Sequence, residues 1–509
     1  MSDRTIERLL ASGEEEDAAI GAPGREPLTY GAFKRLIAET TQRLNSFGIG
    51  RNDPVAIVLP NGPEMATAFV AIASAATSAP LNPAYQADEF DFYLTDLNAR
   101  ALVIQEGMVT PAREAAAKHG ITLIELVPDE KSAAGTFTLR LADETAVPTM
   151  TANGGPAKVD DIALVLHTSG TTSRPKIVPL SHRNVCASAV NISETLALNG
   201  DDRCLNIMPL FHIHGLIAAV LSSLSAGAYV ACTPGFNALK FFSWMDGIKP
   251  TWYTAVPTMH QAILARAPRN AESLERAKLR FVRSSSAALP PQVLVSLEET
   301  FGCRVAEAYG MTEAAHQMAS NPLPPLPRKP GTVGCAAGPE VAIMDDTGKL
   351  LSVGEIGEIV IRGDNVTSGY QNNEEANAAA FTNGWFRTGD QGTMDEDGYL
   401  TITGRLKEII NRGGEKISPR EVDEVLLDHP DIAQVVTFAI PHDKLGEDVA
   451  AAVVLNDNCT TDERAIRDFA GTRLADFKVP RKIVILDEIP KGATGKMQRI
   501  GLAEKLGLS

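Results

Sequence analysis

At 509 residues the chain exceeds what one hydrophobic core ordinarily supports, so two or more domains are expected. Its 44% apolar and 22% charged residues are ordinary for a globular protein in water. A formal net charge of −16 argues against nonspecific nucleic-acid binding and against attraction to an anionic membrane, and it requires local positive groups wherever an anion is to bind. The six cysteines (186, 204, 232, 303, 335 and 459) are far apart without a Cys-x-x-Cys pair, which predicts reduced thiols rather than a disulfide or metal framework. The segment Met1–Glu7 has no apolar signal region, no stretch has the length and apolarity of a membrane span, and Leu506–Ser509 is not the Ser-Lys-Leu peroxisomal address; a cytoplasmic location is expected.

In chain order, Leu36, Ile37 and Leu44 are spaced for one face of a helix over Tyr30–Phe47. Val55–Leu59 reads as a buried strand, Glu64–Thr77 as an Ala-rich helix, Glu89–Leu97 as a further helix, and Ala101–Ile104 and Ile121–Leu126 as strands. Residues 145–160 are weakly periodic and form a connection. Strand 162–166 follows, with a helix from about Ser181. The alternation then resumes with strands at Cys204–Met208, Ala228–Cys232, Thr251–Ala255, Leu279–Val282 and Cys303–Tyr309, an apolar helix after His214, and helices from Pro257 and over Pro290–Phe301. Such β-α-β alternation predicts two doubly wound, mostly parallel α/β subdomains. From about Gly331 the texture turns to β, with strands at Val341–Met344, Ile356–Arg362 and Tyr399–Thr403, and the last hundred or so residues form a small α+β unit. The boundary is placed at 404–407, giving domains 1–404 and 405–509.

The stretch Leu164–Lys176 is the most informative. An apolar strand runs into Thr168-Ser169-Gly170-Thr171-Thr172-Ser173 and then, past Arg174 and Pro175, reaches Lys176. Small residues let backbone N–H groups approach an anion, hydroxyls add donors, and the lysine adds a mobile charge, which is what a polyphosphate needs. It is not a Walker A loop, because no Gly-Lys-Ser/Thr stands at the required distance. On its own, a loop rich in serine and threonine is usually a solvated turn.

Together with four further stretches in order, this loop resembles the adenylate-forming enzymes, the superfamily of acyl-CoA synthetases, luciferases and peptide-synthetase adenylation domains. The four are Tyr309-Gly310-Met311-Thr312-Glu313, Trp385-Phe386-Arg387-Thr388-Gly389-Asp390, Gly404-Arg405-Leu406-Lys407 and Pro490-Lys491-Gly492-Ala493-Thr494-Gly495-Lys496. Ser173 and Ile177 stand where many members carry glycine. The resemblance implies a large N-terminal domain of two α/β subdomains and a small β subdomain, with a mobile C-terminal α+β domain. It implies ATP, Mg²⁺ and coenzyme A as the small molecules bound.

Carried over residue by residue, Thr168, Ser169, Gly170, Thr171, Thr172 and Lys176 hold phosphates. Ser286, Ala287, Ala288, Glu307, Ala308 and Tyr309 surround the adenine. Asp390 accepts the ribose hydroxyls, with Ile402 and Arg405 beside it. Thr312 and Glu313 act at the reacting phosphate, Glu313 holding the metal. Lys496 is the catalytic lysine, neutralising charge as carboxylate and α-phosphate are forced together. Lys407 aligns with the hinge, and Gly413, Gly414 and Lys416 with the segment that serves the thioester step.

The acid pocket is implied at Phe211-His212-Ile213-His214-Gly215, Arg283, Ser286 and His316. A dicarboxylate keeps one anion unreacted, which must be paired if desolvated, and these residues offer the donors. Within the superfamily, these segments look most like the oxalate–CoA ligases. A medium-chain or aryl-acid CoA ligase, and a stand-alone enzyme that loads a carrier protein, are the alternatives. Nothing in the sequence fixes the oligomeric state.

Overall fold

The computed structural model describes residues 4–143, 145, 151, 153–168, 175–456, 459–490, 497 and 499–508. Contacts divide the chain into two compact units. One contains the described residues of 1–340 with Ile361–Ala380; the other contains Val341–Val360 with the described residues of 381–509.

Among the described residues, the first unit holds two large sheets. The seven-stranded sheet runs Phe137–Leu141, Thr122–Pro128, Ala101–Gln105, Pro54–Val58, Thr77–Pro80, Ile162–His167, Ile177–Ser181. Its inner pairings are parallel, and the two edge strands are antiparallel to their neighbours. The nine-stranded sheet runs Cys335–Ala336, His316–Ser320, Arg304–Met311, Phe281–Ser284, Trp252–Ala255, Arg203–Asn206, Tyr229–Cys232, Ala18–Gly21, Leu28–Thr29. The strands from Ala18–Gly21 across to Arg304–Met311 pair in parallel, as the alternating sequence predicts.

Helix Pro63–Ala73 is apolar all round and wholly buried apart from Glu64, as a helix between two layers must be. It packs on Thr77–Pro80 of one sheet and on Ala18–Gly21 and Tyr229–Cys232 of the other. The sequence extends this helix to Thr77, but it ends at Ala73 and Thr77–Pro80 is a buried strand. A continuous apolar run carries no period that separates the two, and tertiary pairing with Pro54–Val58 decides it. Helix His182–Thr195 also touches both sheets. It starts with a reciprocal cap in which Ser181 Oγ accepts from Asn184 N and Asn184 Oδ1 accepts from Ser181 N at 2.9 Å. The helix expected after His214 is wound as a π-helix over His214–Leu221, a form often found at functional positions.

The second unit holds two five-stranded sheets among its described residues. In one, Trp385–Met394 is central and pairs antiparallel with Leu400–Arg405. In the other, the hairpin Ile432–His442/Gly446–Leu455 is central, with Lys482–Ile485 added in parallel. Helices Pro419–Leu427 and Glu463–Gly471 contribute Val422, Leu426, Ile466 and Ala470 to its core. Arg499 is tied into this unit by Nη2 to Asp423 Oδ2 at 2.6 Å, Nη1 to the Thr437 carbonyl at 2.9 Å and Nε to Glu408 Oε2 at 3.2 Å.

Asp161 fixes the start of the strand that leads into the serine–threonine loop. It accepts from Arg51 Nε at 2.6 Å, Lys158 N at 2.7 Å and Asn52 Nδ2 at 2.9 Å. Burial alone would push its carboxyl up, but these donors outweigh burial and hold it at about 2. A depressed carboxyl stabilises the fold fully above its unfolded value, and that stability is lost as pH falls toward the folded one. Asp161→Asn should therefore cost about 2 kcal/mol near neutral pH, the scale of a charge-assisted hydrogen bond. In thermal melts, the gap to the parent protein should be constant above pH 5 and shrink below about pH 4. A gap that does not change with pH would contradict this reading.

Candidate active site

In a parallel sheet, ligands gather outside the carboxyl ends of the strands. The register Asn206↔Thr254, Thr254↔Arg283 and Ser284↔Glu307 aligns those ends in the nine-stranded sheet. The segments leaving them carry His212 and His214, Ser285–Ala288, and Glu307–His316. Each was singled out in the sequence for this chemistry.

His214 is fully buried. Its Nδ1 lies 3.0 Å from Ser286 Oγ and its Nε2 2.6 Å from Thr254 Oγ1, with Arg283 Nη1 at 3.5 Å from the same nitrogen. The rings of His214 and His316 meet edge to face at 5.0 Å. Arg283 is completely buried, behind His214. His212 is half-buried, and its Nδ1 accepts from His214 N at 3.3 Å. Gly215 lets the π-helix start against the preceding turn, since a Cβ there would stand 2.4 Å from the Pro209 carbonyl.

Beyond strand Phe281–Ser284, Ser285 Oγ donates to the Ala308 carbonyl at 2.8 Å, and Glu307 Oε1 accepts from Leu289 N at 3.0 Å. These bonds fix the loop that presents Ser286 and the exposed Ala287 and Ala288 beside Ala308 and Tyr309. Ser286 has φ of 73°, Ala315 47° and His316 103°. Non-glycine residues held there cost about 1–3 kcal/mol each, and such strain clusters at functional sites.

Lys176 and Thr168 close the base of the loop, with Thr168 N donating to the Lys176 carbonyl at 2.9 Å. Ser169, Gly170, Thr171, Thr172 and Lys496 lie outside the described residues. Lys176 Nζ sits 4.4 Å over the Tyr370 ring, and Tyr370 Oη donates to Glu313 Oε1 at 2.8 Å. Burial, and after it the Glu313 charge, raise the Tyr370 phenol well above its ordinary value, so it stays a donor. The Glu313 carbonyl also accepts from Thr367 N at 2.7 Å, and Thr312 stands half-buried at the start of the same short turn. Tyr370, Thr254 and Gln317 were not singled out from the sequence; each acts across a gap in the chain that no local pattern marks.

Within the second unit, Asp390 is buried and its Oδ1 accepts from Arg405 Nε at 3.0 Å. Glu358 Oε1 accepts from Gly389 N at 2.8 Å and Thr388 Oγ1 donates to the Ile359 carbonyl at 2.7 Å, fixing the turn before Asp390. Ile402 lies on the paired strand, half-buried. Lys407 is exposed in the turn after that strand. Gly413 and Gly414, with φ of 62° and 100°, form the tip of the hairpin Ile410–Arg412/Glu415–Ile417, with Lys416 exposed beside them.

The described residues contain no group of three His, Cys, Asp or Glu side chains able to hold a metal. Magnesium is ordinarily held by one or two carboxylates together with substrate phosphates and water. Glu313 is such a carboxylate. No helix among the described residues is long and apolar enough to cross a membrane.

Residues 8–371 match the family described as AMP-binding enzyme, and residues 421–496 match the AMP-binding enzyme C-terminal domain. The chain is 47% identical to an oxalate–CoA ligase of Arabidopsis thaliana over 98% of both chains. It is 42% identical to an oxalate–CoA ligase of Saccharomyces cerevisiae over 90% of this chain and 88% of that one. Among solved structures, ATP-bound MatB from Rhodopseudomonas palustris superposes with a TM-score of 0.87 at 29% identity, covering 98% of each chain. The chain belongs to the AMP-binding enzyme family.

Proposed function

We propose that the protein is an AMP-forming oxalate–CoA ligase. Oxalate attacks the α-phosphate of ATP to give oxalyl-adenylate and diphosphate, and the CoA thiol then displaces AMP to give oxalyl-CoA. The family match supports the reaction type, and full-length similarity to two oxalate–CoA ligases supports the acid. The observation that carries the acid assignment is the polar wall of His214, His316 and Ser286, backed by a buried guanidinium. A fatty chain would want an apolar tunnel there, whereas an unreacted carboxylate wants donors.

In this reading Thr168 to Thr172 and Lys176 hold the β- and γ-phosphates. Ser286, Ala287, Ala288, Glu307, Ala308 and Tyr309 frame the adenine. Asp390, Ile402 and Arg405 take the ribose. When bound, Mg²⁺ neutralises phosphate charge, and Glu313 with Thr312 would hold it there. Tyr370 keeps the Glu313 carboxylate oriented while its ring stabilises the Lys176 ammonium, so one side chain positions a negative and a positive group. Lys496 brings the second positive charge to the colliding anions. His212, His214, His316 and Arg283 serve the acid. We further propose that 1–404 and 405–509 move as two domains about Lys407. One orientation brings in Lys496 and the other brings Gly413, Gly414 and Lys416 to the pantetheine arm. The cytoplasm, where ATP and CoA are both present, is the proposed location.

Three outcomes are expected. With ATP, Mg²⁺ and CoA, the purified protein should release AMP fastest with oxalate in a panel of oxalate, malonate, sulfoacetate, coumarate and octanoate; a faster reaction with coumarate or octanoate would contradict the acid assignment. Lys496→Ala should slow adenylate formation by about 100-fold or more, on the scale of losing a transition-state donor. The same variant should still convert supplied oxalyl-adenylate to thioester, and equal loss of both half-reactions would refute the role. Tyr370→Phe should lower kcat about tenfold, the equivalent of one hydrogen bond of ~1.4 kcal/mol. An unchanged kcat would remove the phenol from the phosphate side.

A further inference from the structure

Arg283 lies on strand Phe281–Ser284 and is fully buried. Its Nη2 donates to Gln317 Oε1 at 3.2 Å, Nη1 approaches His214 Nε2 at 3.5 Å, and Nε has no partner. No carboxylate of the described residues pairs with it. The Gln317 amide nitrogen is held by Thr195 Oγ1 and the Ala337 carbonyl, both at 3.1 Å, which keeps the amide oxygen on the guanidinium. Burial pulls the guanidinium down to about 9, so it still carries its proton at neutral pH. A buried cation without a counter-ion destabilises a fold. A charge kept at that cost implies a negative partner from outside the chain.

The contacts also have a direction. Nε2 of His214 faces Thr254 Oγ1 at 2.6 Å and Arg283 Nη1 at 3.5 Å, and the tautomer that satisfies both has Nε2 accepting, from a hydroxyl and from a guanidinium that can only donate, with the ring proton on Nδ1. His214 Nδ1–H then donates to Ser286 Oγ. With its oxygen accepting from His214, the Ser286 hydroxyl hydrogen is left to point elsewhere. The left-handed backbone at Ser286, with φ of 73°, holds the residue in that place.

We propose that Arg283 is a positioning and specificity-determining residue. Acting through His214, its unpaired guanidinium fixes Ser286 as a hydroxyl donor to the acid and supplies the positive charge that the unreacted carboxylate of a diacid balances. Arg283 does not touch the acid itself. The proposal rests on the oxalate reading and adds to it the group that sets the preference.

The test compares oxalate with glyoxylate, an acid of the same size with one carboxylate, by diphosphate release, alongside thermal melting. Arg283→Met should lower kcat/KM for oxalate by about 100-fold and for glyoxylate by about threefold or less, a ratio too large for the loss of one neutral hydrogen bond. Its melting temperature should be unchanged or higher, because the variant removes an uncompensated buried charge. Arg283→Lys, which keeps the charge, should recover oxalate to within about tenfold of the parent. Gln317→Glu leaves the arginine in place and pairs it internally, so it should lower the oxalate preference as Arg283→Met does; it carries the test if that variant does not fold. Equal losses on both acids with a lowered melting temperature would show a structural arginine and overturn the proposal. An oxalate preference that survives both Arg283→Met and Gln317→Glu would overturn it while leaving the oxalate reading intact. A parent enzyme without any preference for oxalate overturns both.

Discussion

The turn between Gly310 and His316 closes through backbone positions that ordinary residues avoid, and the contacts of Glu313 and His316 hang from it. A Cβ at Gly310 would fall 1.8 Å from the His316 carbonyl oxygen, so the hairpin closes only over a glycine. Ala315 and His316 both have positive φ. The reward for that strain is directional. Glu313 is turned toward Tyr370 and, through its ring, Lys176, while His316 is turned toward His214. A relaxed turn could present one of these groups but not hold both at fixed separation.

The second constraint is charge. A chain with a net charge of −16 must bind polyanions, so its cations have to be placed where the anions will be and kept there without internal quenching. The structure does this in two ways. Lys176 sits over an aromatic face and, among the described residues, forms no ion pair with a carboxylate, which leaves its charge for a ligand. Arg283 is buried against Gln317 and His214, neither of them a carboxylate, which orient it without pairing its charge. Surface arginines such as Arg362, paired with Glu340 at 2.8 Å, show the contrasting and ordinary arrangement.

Much of the candidate site can be proposed from the sequence because its motifs are contiguous. A strand, a run of hydroxyls and a lysine lie within thirteen residues, and Tyr309 to Glu313 form one unbroken stretch. The β-α-β alternation likewise gave both sheets, and similarity to AMP-binding enzymes over residues 8–371 and 421–496 bears out the family. What stayed hidden depends on distant contacts. Tyr370 is 57 residues from Glu313 and Gln317 is 34 from Arg283, so no local spacing could pair them. The expected helix ran on to Thr77, the first residue of strand Thr77–Pro80, because an apolar run between two sheets has no polar face to set a period. The same lack of a polar face left the π-winding at His214–Leu221 unmarked. The sequence offers Arg283 as a donor for the acid, but its complete burial and its approach to His214 are tertiary facts.

The central claim is that a carboxylate is joined to AMP before any thiol takes part, with oxalate as that carboxylate. Exchange of labelled diphosphate into ATP, measured with Mg²⁺ and no CoA, tests it most directly. The account predicts exchange that depends on oxalate, exceeds that with glyoxylate, and disappears in Lys496→Ala. Exchange that requires CoA, that is indifferent to the acid, or that is absent while ADP accumulates would contradict it.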